Sequence, residues 1–173
     1  SSEPASSNSN MTFTLDPYAN LTAGATYLIR VTTGAKDLAG NALSSQYVTS
    51  SGFTFIDTTA PTVSSVSSST SDGAYKINDI IKITVTFNEN VIVDNSSGNP
   101  RIQLETGTND RYANYISGNS TSVLSFLYSV QSGDNSSDLD YKATDSFSAN
   151  SGTIRDNATN DSTLTLSSPG ASG

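Results

Sequence analysis

The chain has 173 residues, 34% of them hydrophobic and 14% charged, with a net charge of −8 and no Cys, His or Trp. Without His or Cys there is no Ser-His or Cys-His pair, no zinc site of the usual ligands and no disulfide framework. Eight scattered Lys and Arg set against 16 acids argue against nucleic acid, and no apolar run reaches the ~18–20 residues of a membrane span.

The length predicts one domain, or two if the modules are small and all-β. With 32 Ser, 22 Thr and 16 Asn, the chain can fold only if its remaining apolar residues share faces. Periodicity says that they do. In the first third, Thr12-Phe13-Thr14-Leu15, Tyr27-Leu28-Ile29-Arg30-Val31 and Phe53-Thr54-Phe55 alternate apolar with polar, about three strands. Asp57-Thr58-Thr59-Ala60-Pro61 then interrupts the pattern and marks a boundary. The Ser-rich stretch 64–71 reads as an edge strand. Ile81-Lys82-Ile83-Thr84-Val85-Thr86-Phe87 is the clearest strand: its odd positions face a core and its even positions face water. Leu124, Phe126, Tyr128 and Val130 form a second such face. Arg101–Leu104, Tyr112–Tyr115 and Thr163–Leu166 are shorter runs. Turn clusters such as Asp72-Gly73, Ser97-Gly98-Asn99-Pro100, Gly118-Asn119 and Gly133-Asp134-Asn135 separate them. Short strands at this spacing are the pattern of a β-sandwich, and helix periodicity is nearly absent.

Two segments echo each other. Gly34-Ala35-Lys36-Asp37-Leu38-Ala39-Gly40-Asn41 and Gly152-Thr153-Ile154-Arg155-Asp156-Asn157-Ala158-Thr159-Asn160 share a Gly, a basic residue followed by Asp, and an Asn four after that Asp. The echo reads as a tandem repeat with its first copy truncated. Residues 1–56 then supply the last strands of one module and residues 57–173 form a whole one. No signal peptide opens the chain, which reads as an internal piece of a longer protein.

At these residues a family resemblance emerges. Leu21 to Val31, with Asp37-Leu38-Ala39-Gly40-Asn41-Ala42-Leu43 and Phe53-Thr54-Phe55, resembles the end of a bacterial Ig-like domain. Asp57 to Pro61, Phe87-Asn88-Glu89-Asn90-Val91, Leu104-Glu105-Thr106-Gly107, Gly133-Asp134 and Asp138-Leu139-Asp140-Tyr141 resemble the Ig-like repeats of large bacterial surface and adhesin proteins. The resemblance implies an all-β fold: an Ig-like antiparallel β-sandwich preceded by the C-terminal part of a second Ig-like module. It implies a secreted, non-enzymatic spacer at the bacterial cell surface, with neighbouring modules or protomers as partners. Two alternatives stay open. One is a fibre subunit whose first module is completed by strands from another protomer. The other is an adhesion domain that itself binds a host or surface ligand. Leu21, Gly24 and Tyr27 fit a tyrosine corner, in which a Tyr hydroxyl bonds backbone a few residues upstream; Leu139-Asp140-Tyr141 is its candidate counterpart. Thr159 stands where the repeat calls for Gly, so a left-handed turn is expected at Asn157 or Asn160 instead.

Acidic loops are the one candidate constellation. Asp57, Glu89, Asp138, Asp140 and Asp156 fall in loops that an Ig topology can gather at one pole. Ca²⁺ takes six to eight oxygens from carboxylates, amides and carbonyls, all abundant here. The competing reading is that these acids cap turns or stand in water. Their use as a glycosidase pair finds no Trp platform to support it. Sugar binding would fall to Tyr75, Tyr112 or Tyr115, for which strand packing is the alternative.

Overall fold

The computed structural model describes residues 5–7, 12–15, 17, 19, 21–22 and 24–170. All of their regular structure is β, in thirteen short to long strands, and no helix long and apolar enough to cross a membrane occurs among them. The chain divides into two compact units, Ser1–Asp57 and Thr58–Gly173.

The first unit is made of ribbons. β1 (Ala5–Ser7) pairs with β2 (Thr12–Thr14), β3 (Thr26–Tyr27) with β6 (Phe53–Thr54), and β4 (Arg30–Val31) with β5 (Tyr47–Val48), all antiparallel. Six short strands thus stand where periodicity suggests about three. The reason lies in the run Tyr27–Val31. Its partner is the segment 47–54 throughout, but the register shifts by two residues between Arg30↔Val48 and Tyr27↔Phe53. At the break Thr49 N–H donates to Ile29 O at 3.0 Å and Ile29 N–H to Thr49 Oγ1 at 3.1 Å, so the ladder divides into two ribbons. The described part of this unit buries no large apolar side chain: Leu28, Ile29, Val31, Tyr47, Val48, Phe53 and Phe55 are all exposed. The Phe13 side chain lies outside the described residues.

The second unit is built on one strand. β8 (Ile80–Asp94) is 15 residues long. Its first half pairs on one side with β7 (Val63–Ser68) and on the other with β11 (Thr121–Ser129). Its second half pairs with β13 (Thr153–Arg155). β11 continues the sheet through β10 (Arg111–Ser117) and β9 (Arg101–Leu104) to β12 (Phe147–Ser148). The two layers are therefore one hydrogen-bonded path that curls around its own core.

Alternation explains that core. Ile81, Ile83, Val85, Phe87, Val91 and Val93 are buried, all odd positions of β8. Leu124, Phe126 and Tyr128 of β11 face them, with Ile102, Leu104, Ala113, Phe147 and Ile154. Phe126 meets Phe147 edge-on at 5.4 Å between ring centroids and Tyr115 at 5.9 Å. Burying such a side chain contributes roughly 1.5–3 kcal/mol. At Gly118, between β10 and β11, φ is +110° and a Cβ would stand 2.1 Å from the Val123 carbonyl oxygen, so the hairpin requires glycine.

Thr163–Leu166 departs from the strand expected there. Thr163 makes one isolated parallel bridge to Thr62, its N–H donating to Pro61 O at 2.8 Å, whereas Leu166 N–H donates to Thr144 O. The segment crosses between two partners and cannot keep register with either.

Candidate functional site

Three of the five candidate carboxylates come together. Asp57, the boundary residue, Glu89 within β8 and Asp156 after β13 each offer one oxygen, and these oxygens lie within 4.8 Å of one another. Asp156 is only 3% exposed. Burial by itself raises its pKa, but donation from the Asn160 side chain and from the backbone of Asn160, Ala158 and Thr159 outweighs this. Its carboxyl therefore lies below the ordinary value and is charged at neutral pH.

Asp138 and Asp140 are not members of that cluster. They sit in the loop after β11. Asp140 accepts the N–H of Tyr141 and of Gly170, both at 2.7 Å. Their neighbour Asp134 does structural work. It accepts Arg111 Nε at 2.8 Å, Gln131 N–H at 2.7 Å and the Tyr128 hydroxyl at 2.5 Å. Burial opposes the charge on Asp134, and these donors overcome it and lower its pKa. Burial, then the Asp134 bond and charge, push the Tyr128 hydroxyl upward, against a smaller opposing effect of Arg111.

The two echoing loops fold alike. In the first, Asn41 N–H and Nδ2 donate to the two carboxylate oxygens of Asp37, each at 2.9 Å. Asp37 N–H donates to Asn41 O at 3.0 Å, and Gly40 N–H to Asp37 O at 3.0 Å. In the second, Asn160 N–H and Nδ2 donate to Asp156 at 2.8 and 2.6 Å, Asp156 N–H to Asn160 O at 3.1 Å, and Thr159 N–H to Asp156 O at 3.3 Å. The left-handed residue is Gly40 at φ +88° in one and Thr159 at φ +74° in the other. This corrects the expectation that Asn157 or Asn160 would take that conformation. Four hydrogen bonds fix the loop, and they impose the backbone angle at its fourth position whatever residue stands there.

The Tyr27 hydroxyl accepts Thr22 N–H at 2.7 Å, the upstream backbone bond of a tyrosine corner, and its ring stacks on Phe53 at 6.4 Å. Residues 1–55 match the family model of a bacterial Ig-like domain. No curated protein and no solved structure matches the chain.

The bacterial Ig-like match ends two residues before Asp57, so the second unit stands on its own geometry. There the supposed second corner is different. Tyr141 donates forward to Ser167 O at 3.0 Å, because its side chain is drawn to the segment that follows Thr163. It is Tyr75 that reaches back four residues, donating to Ser71 O. The three tyrosines considered for sugar differ in their surroundings, Tyr75 and Tyr112 being exposed and Tyr115 half-buried. Tyr115 packs on Phe126, Tyr112 lies 4.2 Å beneath the Arg101 guanidinium, and Tyr75 is tethered through its hydroxyl. The Arg111–Asp134–Tyr128 network is absent from the sequence reading. Its signal is only that Asp134 follows a Gly, whereas its partners come from β10 and β11.

Proposed function

We propose that this chain is a non-enzymatic structural module of an extracellular bacterial protein, a spacer that sets the distance between a binding tip and the cell. The observation that carries the reading is the recurrence of one Asp-x-x-x-Asn loop, closed by the same four hydrogen bonds, in two successive units, the first of which matches a bacterial Ig-like domain. Repetition of a module lengthens a protein without adding a site. Deleting residues 58–173 from the protein that carries them should shorten its reach and leave ligand attachment intact; loss of attachment contradicts the spacer.

Calcium belongs to this reading. Two oxygens bound to one Ca²⁺ at about 2.3–2.6 Å stand at most about 5 Å apart, so the three gathered carboxylates suit the ion in type and spacing. Asp57, Glu89 and Asp156 would hold it, and the ion would neutralise their crowded charge. Calcium at about a hundredfold its dissociation constant should raise the thermal midpoint by roughly 10 °C, and chelation should reverse this. An unchanged midpoint removes calcium from the account.

The exposed apolar side chains of the first unit favour a second reading, a filament subunit whose ribbons receive strands from another protomer. It predicts oligomers that grow with concentration. A monodisperse monomer in sedimentation contradicts it.

A further inference from the structure

A cavity of about 710 Å³ opens in the second unit, within the size range of ligand pockets. Its floor is apolar, made by Ile81, Ile83, Ile102 and Leu104. Asp72, from the loop after β7, and Asp138 and Asp140, from the loop after β11, also line it, and no Lys or Arg does. Asp134 in the wall already has its cation, Arg111. Asp140 is occupied by two N–H groups. The carboxylates of Asp72 and Asp138 have no hydrogen bond or ion pair among the described residues. The cavity thus has a greasy base and uncompensated negative charge.

One wall is a strand edge. Val66, Ser67 and Ser68 are consecutive, and all three line the cavity. Side chains alternate along a strand, so three in a row can face one space only if it reaches the strand's edge. Among the described residues β7 pairs with β8 alone, and the bridge from Thr62 to Thr163 lies at its start, away from Val66–Ser68. Backbone groups on its outer side are open to a partner strand.

We propose that this cavity binds an extended basic peptide segment, added as a strand to the outer edge of β7. Its apolar side chains rest on Val66, Tyr75, Val130 and Leu139, which line the cavity and are partly exposed above the buried Ile81, Ile83, Ile102 and Leu104, and its Lys or Arg lies between Asp72 and Asp138. Charge complementarity selects this occupant over an acidic or neutral one, and the chain's net charge of −8 steers basic partners toward it. The proposal is independent of the spacer reading.

The test is an amide NMR titration of the full chain with acetyl-Val-Lys-Val-Lys-Val-amide, with acetyl-Val-Glu-Val-Glu-Val-amide as its charge-reversed control. The basic peptide should saturate shifts at Val66–Ser68 and in residues 134–141, more weakly at high salt. The double variant Asp72→Asn/Asp138→Asn, both exposed and unpaired, should keep its thermal midpoint and bind about tenfold more weakly. The acidic peptide should leave the spectrum unchanged. Equal binding of the two peptides, undiminished binding by the double variant, no shift with the basic peptide at millimolar concentration, or shifts confined to other residues each overturn the proposal. Cadaverine shifting the same amides as tightly as the peptide overturns the strand addition.

Discussion

The same five-residue loop closes in two settings. Asp37–Asn41 sits in a unit whose described apolar side chains are largely exposed, with Leu38 entirely in water. Asp156–Asn160 sits in a unit with a continuous core, its Asp almost wholly buried. The four hydrogen bonds are nevertheless the same. The loop is therefore a local solution, set by one Asp and one Asn, that does not need a core to form. The fourth position alone differs in cost: the cored unit holds an exposed β-branched Thr159 at a positive φ, whereas the open one has Gly40.

The contrast between the units breaks most directly at an aromatic residue. Phe126→Ala should cost the second unit about 3–5 kcal/mol, because it empties the centre of the core. Phe53, 46% exposed, should cost about 0.5 kcal/mol or less when changed to Ala. Urea unfolding measures both, and equal losses would erase the distinction.

The next test uses charge. Asp134 and Asp156 both have folded pKa values below the ordinary 3.8. A carboxylate held below its unfolded value stabilises the fold fully above that value, and the contribution disappears as pH falls through the folded one. The thermal midpoint of the second unit should therefore be flat at neutral pH and drop below about pH 4. Asp156→Asn should cost about 1–3 kcal/mol at pH 7 and flatten part of the acid limb. Asp37→Asn should leave the second unit untouched. An Asp156→Asn variant with wild-type stability and an unaltered acid limb contradicts the account.

The smallest effect sharpens the loop comparison. Thr159→Gly relieves a left-handed Thr and should stabilise the second unit by about 1 kcal/mol, read as a rise in urea midpoint. No rise would mean that the loop's hydrogen bonds already offset the strain at the exposed Thr159.

Much of this was legible because β structure writes itself at period two. The odd positions of Ile81–Phe87 are the core of the second unit, and the Leu-x-x-Gly-x-x-Tyr spacing of Leu21–Tyr27 foretells the hydroxyl bond to Thr22. Other features depend on which strands become neighbours, and alternation carries no such information. The two-residue slip of register against the segment 47–54 between Tyr27 and Arg30 is one. The grouping of Asp57, Glu89 and Asp156 without Asp138 and Asp140 is another: it follows from β8 extending beyond β7 to pair with β13, which brings Glu89 near the loop after β13. Thr159 was misread for a different reason. Residue preference favours Asn at positive φ, but the bonds between Asp156 and Asn160 fix which position must turn.

The lone bridge between Thr62 and Thr163 has a mechanical consequence. The two segments lie side by side and run the same way, one near the start of the second unit and one near its end. Tension drawn through both ends would slide them past each other in shear instead of peeling them apart. The bond from Thr163 to Pro61 would bear load early, before the β8 ladder is strained.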